Sequence, residues 1–224
     1  MGEAASALPI DPALFIRQQR QLIQDFCNQL DSHMPSYSYV PLTSDEQRVL
    51  VMQSRLYNEF RAAEVFGAWL STTSDLEIKR HLADSCHEEL GHAQLLLQRI
   101  EGMGTDPMAY GPPPEQVALF HTMQNLETTA ERLAAFQLAG EAVAAHLIKR
   151  ALESDAVPEW IKVPYRRIFE DEAEHGSQPA RMLERHATTL ESQRLVRRGV
   201  SLGLSLRRHY FDALDEMVFS GVRW

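Results

Sequence analysis

The helix-breaking residues of this sequence are concentrated in two stretches, MPSYSYVPLTS over 34–44 and GMGTDPMAYGPPP over 102–114. In the long intervals between them apolar residues recur three and four apart, the period of a helix with one buried face, and no segment shows a convincing strand pattern. The chain is therefore expected to be all-α. At 224 residues it can bury one core well and is short for two, so a single domain is expected over 1–224. A first helix is expected from the Asp11 cap, with Pro12 behind it, to about His33. A second starts at Ser44, where Ser-Asp-Glu-Gln is a capping box, and ends near Leu70. The turn at 71–75 opens a third helix to about Glu101. A short segment over 114–124 then precedes a long helix from about Thr129 to Ser154. After a break at 154–160 a helix runs to about Arg185, and a last one from about Thr188 to Phe219. Four of these form two hairpins joined by a longer crossover, a four-helix bundle over about 44–185. The N-terminal helix (about 11–33) and the C-terminal helix (about 188–219) are additional to it.

Charge and cysteine count narrow the function. With 22 Lys+Arg against 31 Asp+Glu, a net charge of −9 argues against gripping nucleic acid by general electrostatics. Cys27 and Cys86 are too few for a disulfide scaffold and lack metal-ribbon spacing, which fits a reducing, cytoplasmic setting. No run of about 18 apolar residues is present, so no membrane span is expected.

Two segments carry the same spacing of chemistry. Glu89 and His92 are three apart, and so are Glu172 and His175; on a helix each pair shares one face and can reach one metal ion. Glu89 falls within the stripe Leu82, Cys86, Ala93, Leu96, and Glu172 within Tyr165, Ile168, Pro179, Met182. Two further stripes hold one carboxylate each: Glu59 among Met52, Leu56, Ala63 and Phe66, and Glu141 among Ala134, Leu138, Ala145 and Ile148. Ionised carboxylates facing one apolar core cost several kcal/mol each unless a cation compensates them, and a pair of divalent ions would do so. Glu59 and Glu89 lie at equal distance from the first turn, as Glu141 and Glu172 do from the second. Glu64 is the alternative to Glu59, but choosing it shifts the carboxylate by about 7.5 Å along the helix.

These six residues resemble the ferritin-like di-iron carboxylate proteins, with one Glu from each of two helices and Glu-x-x-His from the other two. The resemblance covers about 44–185 and implies a non-haem di-iron oxygenase or oxidase that uses O2 as co-substrate to oxidise a small organic molecule. It implies Glu59, Glu89, His92, Glu141, Glu172 and His175 as ligands of two iron ions, with manganese or a mixed Mn/Fe pair also compatible. Asp171 and Glu88, each just before a motif glutamate, are expected to orient metal-bound histidines through their distal nitrogens. Ala145 stands where hydrocarbon monooxygenases have threonine, and Ile168 where the N-oxygenases add a histidine. Neither of those specialisations is therefore expected. No flavin, nicotinamide or iron–sulfur fingerprint is present, so an external electron donor or reductase is implied. A monomer or homodimer fits this reading, whereas a shell of many subunits fits the alternative of a ferroxidase or iron-handling protein.

Other polar residues have plainer readings. Asp84, His87, Glu170 and Glu174 are expected on the solvated face, His121 and His146 packed or at the surface, and Tyr57 and Tyr165 in the core. Cys86 is expected as a small buried hydrophobe near the site. Arg194, Arg197, Arg198, Arg207 and Arg208 read as an ordinary basic face, the alternative being a grip on an acidic substrate handle or carrier. The segment 108–115 reads equally as a lid or a connector.

Overall fold

The computed structural model describes residues 8–175 and 178–223, the side chains of 172–175 excepted. Among these residues the regular elements are all helical. Helix α1 (Pro12–Asp31) starts where the Asp11 carboxylate accepts a hydrogen bond from the Leu14 N–H. A short 3-10 turn, Ser36–Ser38, leads to α2 (Asp45–Thr72), closed at its start by the reciprocal Ser44 and Gln47 capping box. Helix α3 (Leu76–Glu101) is capped by Asp75, which accepts from the Ile78 N–H. Such caps contribute about 1 kcal/mol each by satisfying donors that the first helical turn leaves open. They lie where the sequence pattern puts them.

After α4 (Pro114–Gln124) comes one continuous helix, here α5, in three parts: Thr129–Arg132, a π-helical segment Leu133–Glu141, and Ala142–Glu153. Helix α6 (Glu159–His175) and α7 (Gln178–His186) occupy the stretch expected as one helix to about Arg185, with 176–177 between them outside the described residues. Helix α8 (Leu190–Ser220) begins on a Thr189 capping box.

The hairpin α2–α3 packs along its length, the second half of α5 packs on α6, and contact between α3 and α6 joins the two hairpins. Helix α8 lies along the π segment, α4 bridges α2 and α8, and α1 packs on α7 and α8. The last helix is thus part of the core. Val196, Val200, Tyr210, Phe211 and Leu214 are buried on it. Its backbone comes so near the π segment that a Cβ on Gly203 would stand 2.4 Å from the Ala135 carbonyl oxygen, and one on Gly199 would stand 2.9 Å from that of Glu131. Among the described residues no helix is long and apolar enough to cross a membrane.

Candidate metal centre

Helix α2 supplies Glu59 and α3 supplies Glu89 and His92, and each of the three offers a ligand atom within 4.8 Å of the others. His92 Nδ1 is 3.6 Å from Glu59 Oε2 and 3.7 Å from Glu89 Oε2. Two ligand atoms that each stand about 2.1 Å from one ion are separated by roughly 3–3.5 Å at ordinary coordination angles, so a shift of a few tenths of an ångström closes this set on a metal. Burial is deep: 9% exposed for Glu59, 7% for Glu89 and 4% for His92.

The two carboxyls respond to that burial in opposite ways. Desolvation pushes Glu89 well above the usual carboxylate range, and the negative charges of Glu59, Glu141 and Glu88 push it further. Burial also acts to raise Glu59, but hydrogen bonds from His92 and Glu89, with the charges of His92 and Arg55, hold it below its ordinary value. Glu89 is therefore the neutral acid of the pair and Glu59 the carboxylate it donates to. A cation would displace that proton and let both carboxylates ionise.

The far side of His92 is also held. Its Nε2 is 3.4 Å from Asp171 Oδ2 on α6, and Asp171 Oδ1 is 3.1 Å from Arg167 Nη2. A carboxylate on the distal nitrogen holds the Nε2–H, so that once the Nδ1 proton facing Glu59 is given up to a cation the Nδ1 lone pair would be aimed at Glu59 and Glu89. Asp171, from the second motif, thus contacts the histidine of the first.

Glu141 closes the π segment, is half-buried and lines the same cavity as Glu59 and Glu89. Glu88 is half-buried beside Glu89. Glu64 is turned to solvent and paired with Arg61, so it does not join the group. The side chains of Glu172 and His175 lie outside the described residues, as does that of Glu174. Asp84, His87, Glu170 and His121 are exposed. His146 Nε2 is 2.9 Å from Asp31 Oδ1, away from the site. Cys86 is half-buried and donates to the Ala63 carbonyl at 3.3 Å. Tyr57 is half-buried against Tyr110 and Phe120, while Tyr165 is fully buried with its hydroxyl 2.7 Å from that of Tyr39. Tyr110, in the connector before α4, donates to Gln116 Oε1 at 2.6 Å and has its hydroxyl 2.9 Å from that of Ser54, which ties that segment to α2.

A cavity of about 70 Å³ is lined by Glu59 and Glu89 of the three ligands, together with Glu141. One wall is apolar, with Leu119, Phe136, Val143 and Ile148; the other carries Asn58, Tyr37, Tyr210 and two arginines, Arg55 and Arg207. Both arginines are buried, at 1% and 8% exposure. Arg55 donates to the Tyr37 carbonyl at 3.0 Å and stacks on the Tyr37 ring at 3.7 Å. Burial acts against its charge, but the surrounding tyrosine oxygens and Glu59 hold it above the ordinary guanidinium range. Sequence reasoning passed over Arg55 and did not separate Arg207 from the other arginines of its helix. A signal was present, because Arg207 falls in register with Val196, Val200, Gly203, Tyr210 and Leu214.

No family model matches this chain, and no curated protein matches it. Among solved structures it is similar to a domain of unknown function with a heme oxygenase-like fold from Shewanella denitrificans OS217, with a TM-score of 0.74 and 16% identity over 93% of this chain and 97% of that one. At that identity the likeness shows the fold alone, an all-helical bundle.

Proposed function

We propose that this chain is an O2-dependent dinuclear metal oxidoreductase that oxidises a small organic molecule in the cavity beside Glu59, Glu89 and His92. The observation that carries the reading is the buried cluster itself, two carboxyls and an imidazole from adjacent helices with a third carboxyl, Glu141, on the same cavity. Such a group is unfavourable without a cation and well suited to one. The expected ligands are Glu59, Glu89, His92, Glu141, Glu172 and His175, and iron is the metal proposed, with manganese or a mixed pair as the variant. When bound, the two ions supply the redox chemistry and the Lewis acidity that O2 reduction requires.

The chain's own residues do the rest. Asp171 keeps His92 turned with Nδ1 toward the site. Glu89 gives up its proton as the site is loaded and so converts from hydrogen-bond donor to anionic ligand. Phe120, Phe136 and Phe211 keep the cavity dry on one side, while Asn58 and Tyr210 offer hydrogen bonds on the other. Electrons are proposed to come from a separate reductase. Ordinary pockets for drug-sized ligands run to roughly 300–1,000 Å³, so a cavity of about 70 Å³ suits a small substrate.

Metal analysis of the protein and a panel of variants tests this reading. Anaerobic loading with Fe(II) is expected to give two ions per chain in the wild type and in Glu64→Ala, and fewer in Glu59→Ala. Asp171→Asn is expected to keep the stoichiometry at saturation with roughly 10- to 100-fold weaker affinity; loss of one ion instead would make Asp171 a ligand. Well under two ions in the wild type, or loss in Glu64→Ala alone, overturns the proposed centre.

A further inference from the structure

Arg207 stands apart from the other arginines of α8. Arg198 pairs with the buried Glu131, Arg197 lies over the Phe15 ring, and Arg208 lies over Phe26 and near Gln29 and His33. Arg194 is exposed. Arg207 alone of these turns into the core, where its Nη1 donates to the Ala135 carbonyl at 3.1 Å and the Gly203 carbonyl at 3.0 Å. Among the described residues Nε and Nη2 make no hydrogen bond and the guanidinium has no ion-pair partner within 4 Å. The group crosses the π segment where Gly140 has no side chain: a Cβ there would stand 2.0 Å from Nη2. Gly140 thus clears the way for one buried cation to reach the cavity, while Gly203 lets α8 come close enough to the Ala135 backbone to carry it there.

We propose that Arg207 is the anion anchor of this cavity and that the substrate is a small carboxylic acid, its carboxylate on the Nε and Nη2 edge and its hydrocarbon body against Leu119, Phe136, Val143 and Ile148. This rests on the dinuclear reading above only in naming the bound acid as the substrate. A buried guanidinium with one edge unused is unfavourable unless something completes it, and that edge matches a carboxylate with two parallel N–H···O bonds. Burial pushes Arg207 down to about 10, which reflects incomplete compensation by Glu141 and still leaves it charged at neutral pH. The remaining wall is apolar, so the complement is an anionic head on a hydrocarbon body. Carboxylate is favoured over phosphate because Glu59 and Glu141 share the cavity, and a dianion would face their charge. The narrow volume limits the body to a few carbons.

Titration calorimetry with straight-chain carboxylates from acetate to octanoate, each against the alcohol of equal length, tests the proposal on the full chain, both metal-free and loaded with Mn(II). The expected result is one saturable site per chain for a member of the carboxylate series, at least tenfold tighter than its alcohol. Arg207→Met is expected to remove that preference while binding the alcohol as the wild type does, which also shows the cavity intact. If Arg207→Met does not fold, the wild-type comparison decides alone. Alcohol binding as tight as carboxylate, no saturable binding of any carboxylate, or an unchanged preference in Arg207→Met overturns the anchor. Since the metal-free titration does not depend on the centre, its outcome and that of the metal stoichiometry are separable.

Discussion

A carboxyl group in an apolar core must lose its charge or have it matched, and Glu59 and Glu89 show both outcomes in one pair. In metal-free native protein Glu89 keeps a proton that the unfolded chain loses near 4.5. The native state then binds more protons than the unfolded one, so Glu89 lowers stability progressively as pH rises from about 4.5 through its raised folded value. Glu59, held below its ordinary value, acts in the opposite sense and in a lower window: it adds stability that is lost as pH falls from about 4.5 through its folded value. Replacing Glu89 with Gln preserves a donor to Glu59 and removes the ionisation. Glu89→Gln is expected to match the wild type near pH 5 and to exceed it by about 1–3 kcal/mol at pH 8 in urea unfolding of the metal-free protein. A wild type that is the more stable at pH 8 contradicts the shared proton. That Glu59 and not Glu64 would face Glu89 was legible in the sequence because distance from a tight turn fixes which helix positions face one another. The special place of Arg207 was not, because a basic residue inside an apolar stripe reads the same whether its long side chain snorkels outward or threads inward past a glycine.

At the scale of elements, the caps at Asp11, Ser44 and Asp75 were readable because capping is local chemistry between residues three or four apart. The π segment was not readable, since a shift from four-residue to five-residue hydrogen bonding leaves apolar spacing nearly unchanged over nine positions. What favours it is tertiary. Helix α8 lies close against Leu133–Glu141 through Gly199 and Gly203, and Arg207 satisfies the Ala135 carbonyl from outside the helix. A π segment of this kind often marks a functional site, and this one ends on Glu141. Gly203→Ala would set a methyl against backbone that cannot move aside, and is expected to destabilise by about 1–3 kcal/mol. Gly91 is the matched control, because a Cβ there meets nothing within 4 Å. Gly91→Ala is expected to stabilise by about 0.5–1 kcal/mol through helix propensity alone. Urea unfolding of both variants reads the difference, and a neutral Gly203→Ala would mean that the close packing of α8 does not hold the π segment.

At the scale of the molecule, the helices that carry the cluster are those whose packing defines the bundle. Glu59 and Glu89 face each other across the α2–α3 hairpin, Asp171 reaches His92 across the α3–α6 contact that joins the hairpins, and Glu141 enters from the π segment under α8. A cation at this point would tie α2 to α3 directly and α6 through His92, so binding should act on global stability and not on a local loop. Mass action gives the size: at a free concentration of 100 times Kd, a ligand specific for the native state adds about 2.7 kcal/mol. For chains of 150–250 residues this corresponds to a rise in Tm of roughly 5–10 °C. Wild-type protein with Mn(II), which avoids oxidation during heating, is expected to show that rise in a single calorimetric transition. Glu59→Ala is expected to show little of it, because the remaining groups no longer close on one ion. An equal rise in both would place the metal elsewhere, at exposed acids of a chain that holds 31 acidic residues in all, where binding needs no buried ligand. A split transition would mean that the cluster stabilises one hairpin while the other melts independently, and the contact through Asp171 would then not be the link that makes the two hairpins one structure.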